Sequence, residues 1–105
     1  MKKLCMALLT LLPLSAQAAD YDVTVCSVQA MNNSDYGFLM PCGGWPSKSN
    51  CPNQNWVTWD MSKSQGTAMF SAALTALTTG QSVTIRLDGS SCNGYDITQM
   101  VRINK

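Results

Sequence analysis

Four cysteines, Cys26, Cys42, Cys51 and Cys92, follow a short apolar leader, and together they restrict the fold more than any other feature of the chain. Lys2 and Lys3, the run Leu4 to Leu14 and the small-x-small triplet Ala16-Gln17-Ala18 have the order of a cleaved export signal. The run is shorter than the ~20 residues that a membrane-spanning helix needs, and no later stretch is as apolar. The sequence therefore predicts a leader at 1–18, with Cys5 discarded in it, and a soluble domain at 19–105 that is secreted or periplasmic.

A domain of this size buries only about 60% of the surface its unfolded chain exposes, so cross-links are the expected supplement to its core. In an oxidising compartment the four thiols predict two disulfides, each contributing about 2–4 kcal/mol. Three pairings are possible. The turn-rich segment Gly43 to Asn50 favours a local bridge from Cys42 to Cys51, which leaves Cys26 for Cys92. Zinc is the competing use of four cysteines, but the chain has no histidine and no Cys-x-x-Cys pair, so no metal or other cofactor is expected.

Loss of the leader takes Lys2 and Lys3 from seven cationic residues, against six acidic ones in the whole chain. The concentrated positive face that nucleic acid or anionic lipid would require is missing. Recognition must then rest on shape, aromatic faces and neutral hydrogen bonds.

Val23 to Val28 is β-branched and partly alternating, Asn32 to Asp35 breaks it, and Tyr36 to Met40 resumes an apolar run, which together predict a hairpin. A long Pro- and Gly-containing loop over 41–54 leads to a strand at Asn55 to Asp60. Ser62 and Gln65 have the spacing of a capping box, and Met69, Phe70, Ala73, Leu74, Ala76 and Leu77 recur at helical spacing before Gly80, a left-handed C-terminal cap. A helix is expected over Lys63 to Thr79. Ser82 to Asp88 alternates with Val83, Ile85 and Leu87 inward, and Ile97 to Ile103 forms the last strand with Val101 and Ile103 inward. The order is β-β-β-α-β-β in one β-rich α+β domain.

No charged residue lies between Lys63 and Arg86, although the helix should show one side to water. That side carries Thr67, Ser71, Thr75 and Thr78, small and neutral residues that permit close approach of a second helix. The sequence thus suggests a homo-oligomer that joins through this face.

Catalysis is not expected. The chain lacks histidine, its mature thiols are consumed in bridges, and Asp60, Asp88 and Asp96 sit beside turns where aspartate ordinarily bonds the backbone. Aromatic side chains are the remaining candidates, since their apolar faces and polar edges suit stacking on sugars or packing at interfaces. Trp45, at the tip of the Gly-Gly-Trp-Pro loop, is expected to be exposed, and Tyr36, Trp59 and Tyr95 complete the candidate binding set.

The stretch Trp59 to Leu87, above all Leu77-Thr78-Thr79-Gly80-Gln81-Ser82-Val83-Thr84-Ile85-Arg86, resembles the B subunits of bacterial AB5 toxins of the subtilase cytotoxin and typhoid toxin type. The resemblance implies a disulfide-stabilised, OB-fold-like small barrel, five copies in a ring around a pore lined by the helix, binding of cell-surface glycans, and an A-type partner subunit that carries the activity. It transfers no binding residue. The family's sialic-acid serine lies in a longer lead-in, where this chain has only Asp20 and Tyr21, and the cysteine positions differ. The leading expectation is a secreted, non-catalytic, homopentameric glycan-binding subunit with no membrane insertion. The alternative is a small protein-binding or inhibitor protein that uses the Cys42–Cys51 loop.

Overall fold

The computed structural model describes residues 18–105. The basic and apolar segments expected of an export leader lie outside them. The elements are β1 (Ala19–Ala30), β2 (Tyr36–Pro41), β3 (Val57–Asp60), α1 (Ser64–Thr79), β4 (Ser82–Cys92) and β5 (Asp96–Ile103). This is the expected order. Each strand has a neighbour on both sides, so the sheet closes in the order β1-β2-β3-β5-β4 and back to β1. All pairings are antiparallel except the short β3–β5 junction, where Val57 stands beside Asp96 and Thr58 beside Ile97.

Alternation along the strands fills the interior. Val83, Ile85 and Leu87 of β4 are buried as expected, and they meet Val25, Leu39, Val57, Trp59 and Val101 in one cluster, with Ile103 packed against it. Trp59, only 2% exposed, donates its indole N–H to the Gly66 carbonyl at 2.9 Å and so ties the end of β3 to the first turn of α1.

The helix covers the core with Gly66, Met69, Phe70, Ala73 and Ala76. Leu74 and Leu77, expected on this face, lie instead on the outer side at 43% and 40% exposed. The small residues Gly66, Ala73 and Ala76 let the backbone approach the sheet closely, which turns the covering stripe away from the two leucines. Gly80 ends the helix in the left-handed conformation, with its N–H on the Ala76 carbonyl at 2.8 Å. The capping box does not form. The N-cap is Lys63, one position past Ser62, whose backbone N–H bonds Asp60 Oδ1 at 2.8 Å instead.

The disulfides pair otherwise than expected: Cys26 with Cys42, and Cys51 with Cys92. Cys26 occupies the irregularity in β1 between Val25 and Ser27, and the Cys42 N–H bonds the Thr24 carbonyl on that same strand at 2.8 Å. Hairpin pairing of β1 with β2 therefore delivers Cys42 to Cys26 before any loop needs to close. Cys51 is carried across the domain to the end of β4. Two disulfides fit an oxidising environment, extracellular or periplasmic. No helix among the described residues is long and apolar enough to cross a membrane.

Candidate functional site

The loop expected to display Trp45 folds inward. Trp45 is 5% exposed, belongs to the core cluster, and donates its indole N–H to Asp96 Oδ2 at 2.9 Å. Fully buried Asp96 also accepts from Ser47 Oγ at 2.5 Å, from the Lys48 N–H at 2.8 Å and from the Ser49 N–H at 3.2 Å. One carboxylate thus gathers four donors from five consecutive loop positions. Tyr21 meets the Trp45 ring edge-on at 5.3 Å, and Lys48 Nζ lies 4.9 Å from the Trp45 ring centre. The loop is a plug on the closed sheet, and its tryptophan offers nothing to a partner.

Of the other aromatic candidates, Trp59 is core. Tyr36 starts β2, bonded through its N–H to Ser34 Oγ at 3.1 Å, is part-exposed, and is not among the residues that line the groove at Tyr95. Of the four, Tyr95 borders a defined concave surface. It lines a groove of about 260 Å³ together with Gln29, Met31, Phe38 and Trp56. The structure does not bring Trp45, Tyr36, Trp59 and Tyr95 together.

Strand register builds this groove. Gln29 of β1 stands opposite Phe38 of β2. Phe38 stands opposite Thr58 of β3, two residues beyond Trp56. The parallel pair Val57 and Asp96 sets the residues just before them, Trp56 and Tyr95, side by side. Phe38 is buried but outside the core cluster, because Leu39 takes the inward position on β2. It is covered from outside by the two rings, meeting Trp56 edge-on at 6.3 Å and 90° and Tyr95 at 5.7 Å and 85°. Trp56 and Tyr95 remain half-buried, and Met31 at the rim is 41% exposed.

In sequence Trp56 counts among the aromatic candidates but falls outside the binding set, because its strand position suits the core, and Phe38 stands only in an apolar run. The available signal was the adjacency of Leu39 and Phe38: a closed sheet can take only one of two neighbouring large residues inside, so the other must be covered from without.

The groove's lining holds no charged side chain. The carboxylates weighed for catalysis are engaged elsewhere. Asp60 accepts from Ser62, and Asp88 accepts from the Ser90 and Ser91 N–H groups at 2.8 Å each and from the Ser91 hydroxyl. These bonds hold both carboxyls below the usual carboxylate range, led by the Ser62 backbone bond for Asp60 and the Ser91 hydroxyl for Asp88. No group of His, Cys, Asp or Glu among the described residues is arranged to hold a metal ion.

The outer side of α1 is the second distinctive surface. Thr67, Ser71, Thr75 and Thr78 are exposed as expected, joined by Leu74 and Leu77. Thr75 and Thr78 donate their hydroxyls back to the carbonyls of Ser71 and Leu74, at 2.9 Å each, and Thr79 donates to Thr75 at 2.8 Å. Back-bonded threonines spend their donors on the helix and present methyl groups. The face is uncharged and largely apolar. No protein-family model matches this chain, and neither a curated protein nor a solved structure matches it significantly.

Proposed function

We propose that the chain is a secreted, non-catalytic binding subunit that recognises a glycan through the Phe38–Trp56–Tyr95 groove and assembles with copies of itself through the outer face of α1. The observation that carries this reading is the groove: two half-buried rings set side by side by strand register, braced from below by a third, with no charge in the lining. Rings held in place before binding lose little freedom on contact, and pyranose C–H faces stack on aromatic surfaces of this kind.

The closed five-stranded sheet, with its helix between the third and fourth strands, supports an OB-fold reading. Within it, the AB5 B-subunit resemblance supplies the assembly: a homopentameric ring with α1 lining the central channel, and an A-type subunit as partner. The charge-free, methyl-rich α1 face suits that position better than it suits open water.

Two measurements test the proposal. Light scattering of the purified domain should give the mass of a ring, and a glycan array should retain it. A monomer at micromolar concentration that binds no array glycan refutes both halves.

A further inference from the structure

We infer that the groove accepts one neutral pyranose, the terminal residue of a glycan, with its apolar face against Trp56 and Tyr95 and a hydroxyl at the Gln29 amide. This deepens the glycan-binding reading and rests on it. Size is the first argument. The groove measures about 260 Å³, just under the ~300–1,000 Å³ of pockets that enclose drug-sized ligands, so it houses one ring and leaves the rest of an oligosaccharide in solvent.

Charge is the second argument. Gln29, Met31, Phe38, Trp56 and Tyr95 include no cation, so the carboxylate of an acidic sugar would give up water without gaining an ionic partner, whereas a neutral sugar meets no such penalty.

The unspent hydrogen-bonding edges are the third. The indole N–H groups of Trp45 and Trp59 are committed to Asp96 and to the Gly66 carbonyl. Among the described residues, no hydrogen bond engages the Trp56 indole, the Tyr95 hydroxyl or the Gln29 side chain, and all three residues line the groove. An amide both donates and accepts, as a sugar hydroxyl does. A purely apolar occupant, such as a hydrophobic peptide side chain, would use the rings and waste these edges. Addition of a peptide as a further strand also needs an open strand edge, and the closed sheet provides none.

The three tryptophans supply the readout. In the ¹⁵N-labelled domain each indole N–H gives one NMR signal, assigned by the variants Trp56→Phe and Trp59→Phe. Methyl glycosides of galactose, glucose and N-acetylglucosamine are titrated beside the methyl glycoside of N-acetylneuraminic acid. At least one neutral glycoside should shift the Trp56 signal saturably, with a dissociation constant of about 1 mM for so small a ligand, and leave the other two indoles in place. Gln29→Ala should weaken that sugar about 10-fold while the Trp45 and Trp59 indole signals of the free protein, which report the core, stay in place.

Equal or tighter binding of the neuraminic glycoside at Trp56 overturns the neutral class but leaves glycan recognition standing. Array binding with no shift at Trp56 overturns the groove as the site. Failure of every sugar on the array and in the titration removes the glycan reading itself.

Discussion

The Trp45 indole N–H reaches Asp96 Oδ2 at 2.9 Å across 51 positions of sequence, and the same carboxylate holds Ser47, Lys48 and Ser49. Asp96 is also the residue whose parallel pairing with Val57 sets Tyr95 beside Trp56. The buried anchor of the plug loop and the exposed groove therefore share one strand junction, with Asp96 facing in and Tyr95 facing out.

Asp96→Ala would leave four donors without an acceptor. A buried donor without a partner costs about 1–3 kcal/mol, and some of the four will find water as the loop lifts, so a loss of about 3 kcal/mol or more is expected. Asp96→Asn keeps one acceptor oxygen and should lose about 1–2 kcal/mol. Trp45→Ala empties a core position and should cost about 3–5 kcal/mol. Urea midpoints of the three variants check this order. An unchanged midpoint for Trp45→Ala would mean that the ring is not in the core.

A non-reduced tryptic digest resolves the disulfide pairing. Cleavage after Lys48, Lys63 and Arg86 leaves Cys26 and Cys42 in one peptide, Cys51 in 49–63 and Cys92 in 87–102. The observed pairing releases 49–63 bound to 87–102 as a two-peptide species. Pairing Cys42 with Cys51 and Cys26 with Cys92 would join all three peptides instead. Removal of Cys51–Cys92, which spans 41 positions, should cost about 4 kcal/mol, and removal of Cys26–Cys42, spanning 16, about 3 kcal/mol.

Gly66→Ala tests the seat of the helix. Alanine is the better helix former by about 1 kcal/mol, so propensity alone predicts a gain. A Cβ at Gly66 would stand 2.1 Å from the Asp60 carbonyl oxygen and 2.7 Å from Met61 Cα, both backbone atoms that cannot swing aside. The expected result is a loss of about 2–3 kcal/mol and a lowered melting temperature. A stabilised variant would show that the first turn of α1 does not rest on the end of β3.

Local periodicity and punctuation made most of this architecture readable in sequence. Alternation placed Val83, Ile85 and Leu87 inside, and Gly80 marked the end of α1. The strand before the helix begins at Val57, later than expected, because Asn55 takes a left-handed backbone with φ of 77°. The unread part was long-range. Gly43, Gly44 and Pro46 announce a loop, but nothing near them says that Trp45 will find a carboxylate on β5. Loop composition describes the backbone, whereas burial depends on where the closed sheet presents an acceptor. The cysteine pairing was hidden for the same reason, since strand register and not proximity in sequence brought each partner. Tyr95 was found by residue type, while its neighbours Phe38 and Trp56 needed the β2–β3–β5 register to be seen as a group.

Acid should weaken the fold through three carboxylates, Asp20 and Asp60 exposed and Asp88 half-buried. Asp20, hydrogen-bonded to Arg86 at 2.8 Å, and Asp60 and Asp88, bonded to their neighbouring serines, all have folded pKa values lowered from 3.8. Their contribution is fully present above that value and is lost as pH falls through the lower folded values. With no histidine in the chain, the urea midpoint should change little between about pH 5 and 8 and fall below about pH 4. Asp88→Asn removes one of these titrations and should narrow the difference between midpoints at pH 7 and pH 3. A wider difference would contradict the assigned role.

Assembly through α1 has its own test at Leu74. Thr67, Ser71, Leu74 and Thr78 follow one another at spacings of four, three and four, which aligns them as a straight seam on the outer side of the helix. Leu74 is the largest side chain on that seam and lies 43% exposed, while the back-bonded hydroxyl of Thr78 rests on its carbonyl. Leu74→Glu keeps a good helix former and removes no core contact, so the far-ultraviolet circular dichroism spectrum should be unchanged. In a ring, symmetry would place one glutamate per copy around the channel, and the repulsion should reduce the light-scattering mass to that of a monomer. Leu74→Met, which conserves volume, should keep the assembly. If Leu74→Glu retains the mass of the parent oligomer, the copies meet elsewhere and the outer face of α1 is not their interface.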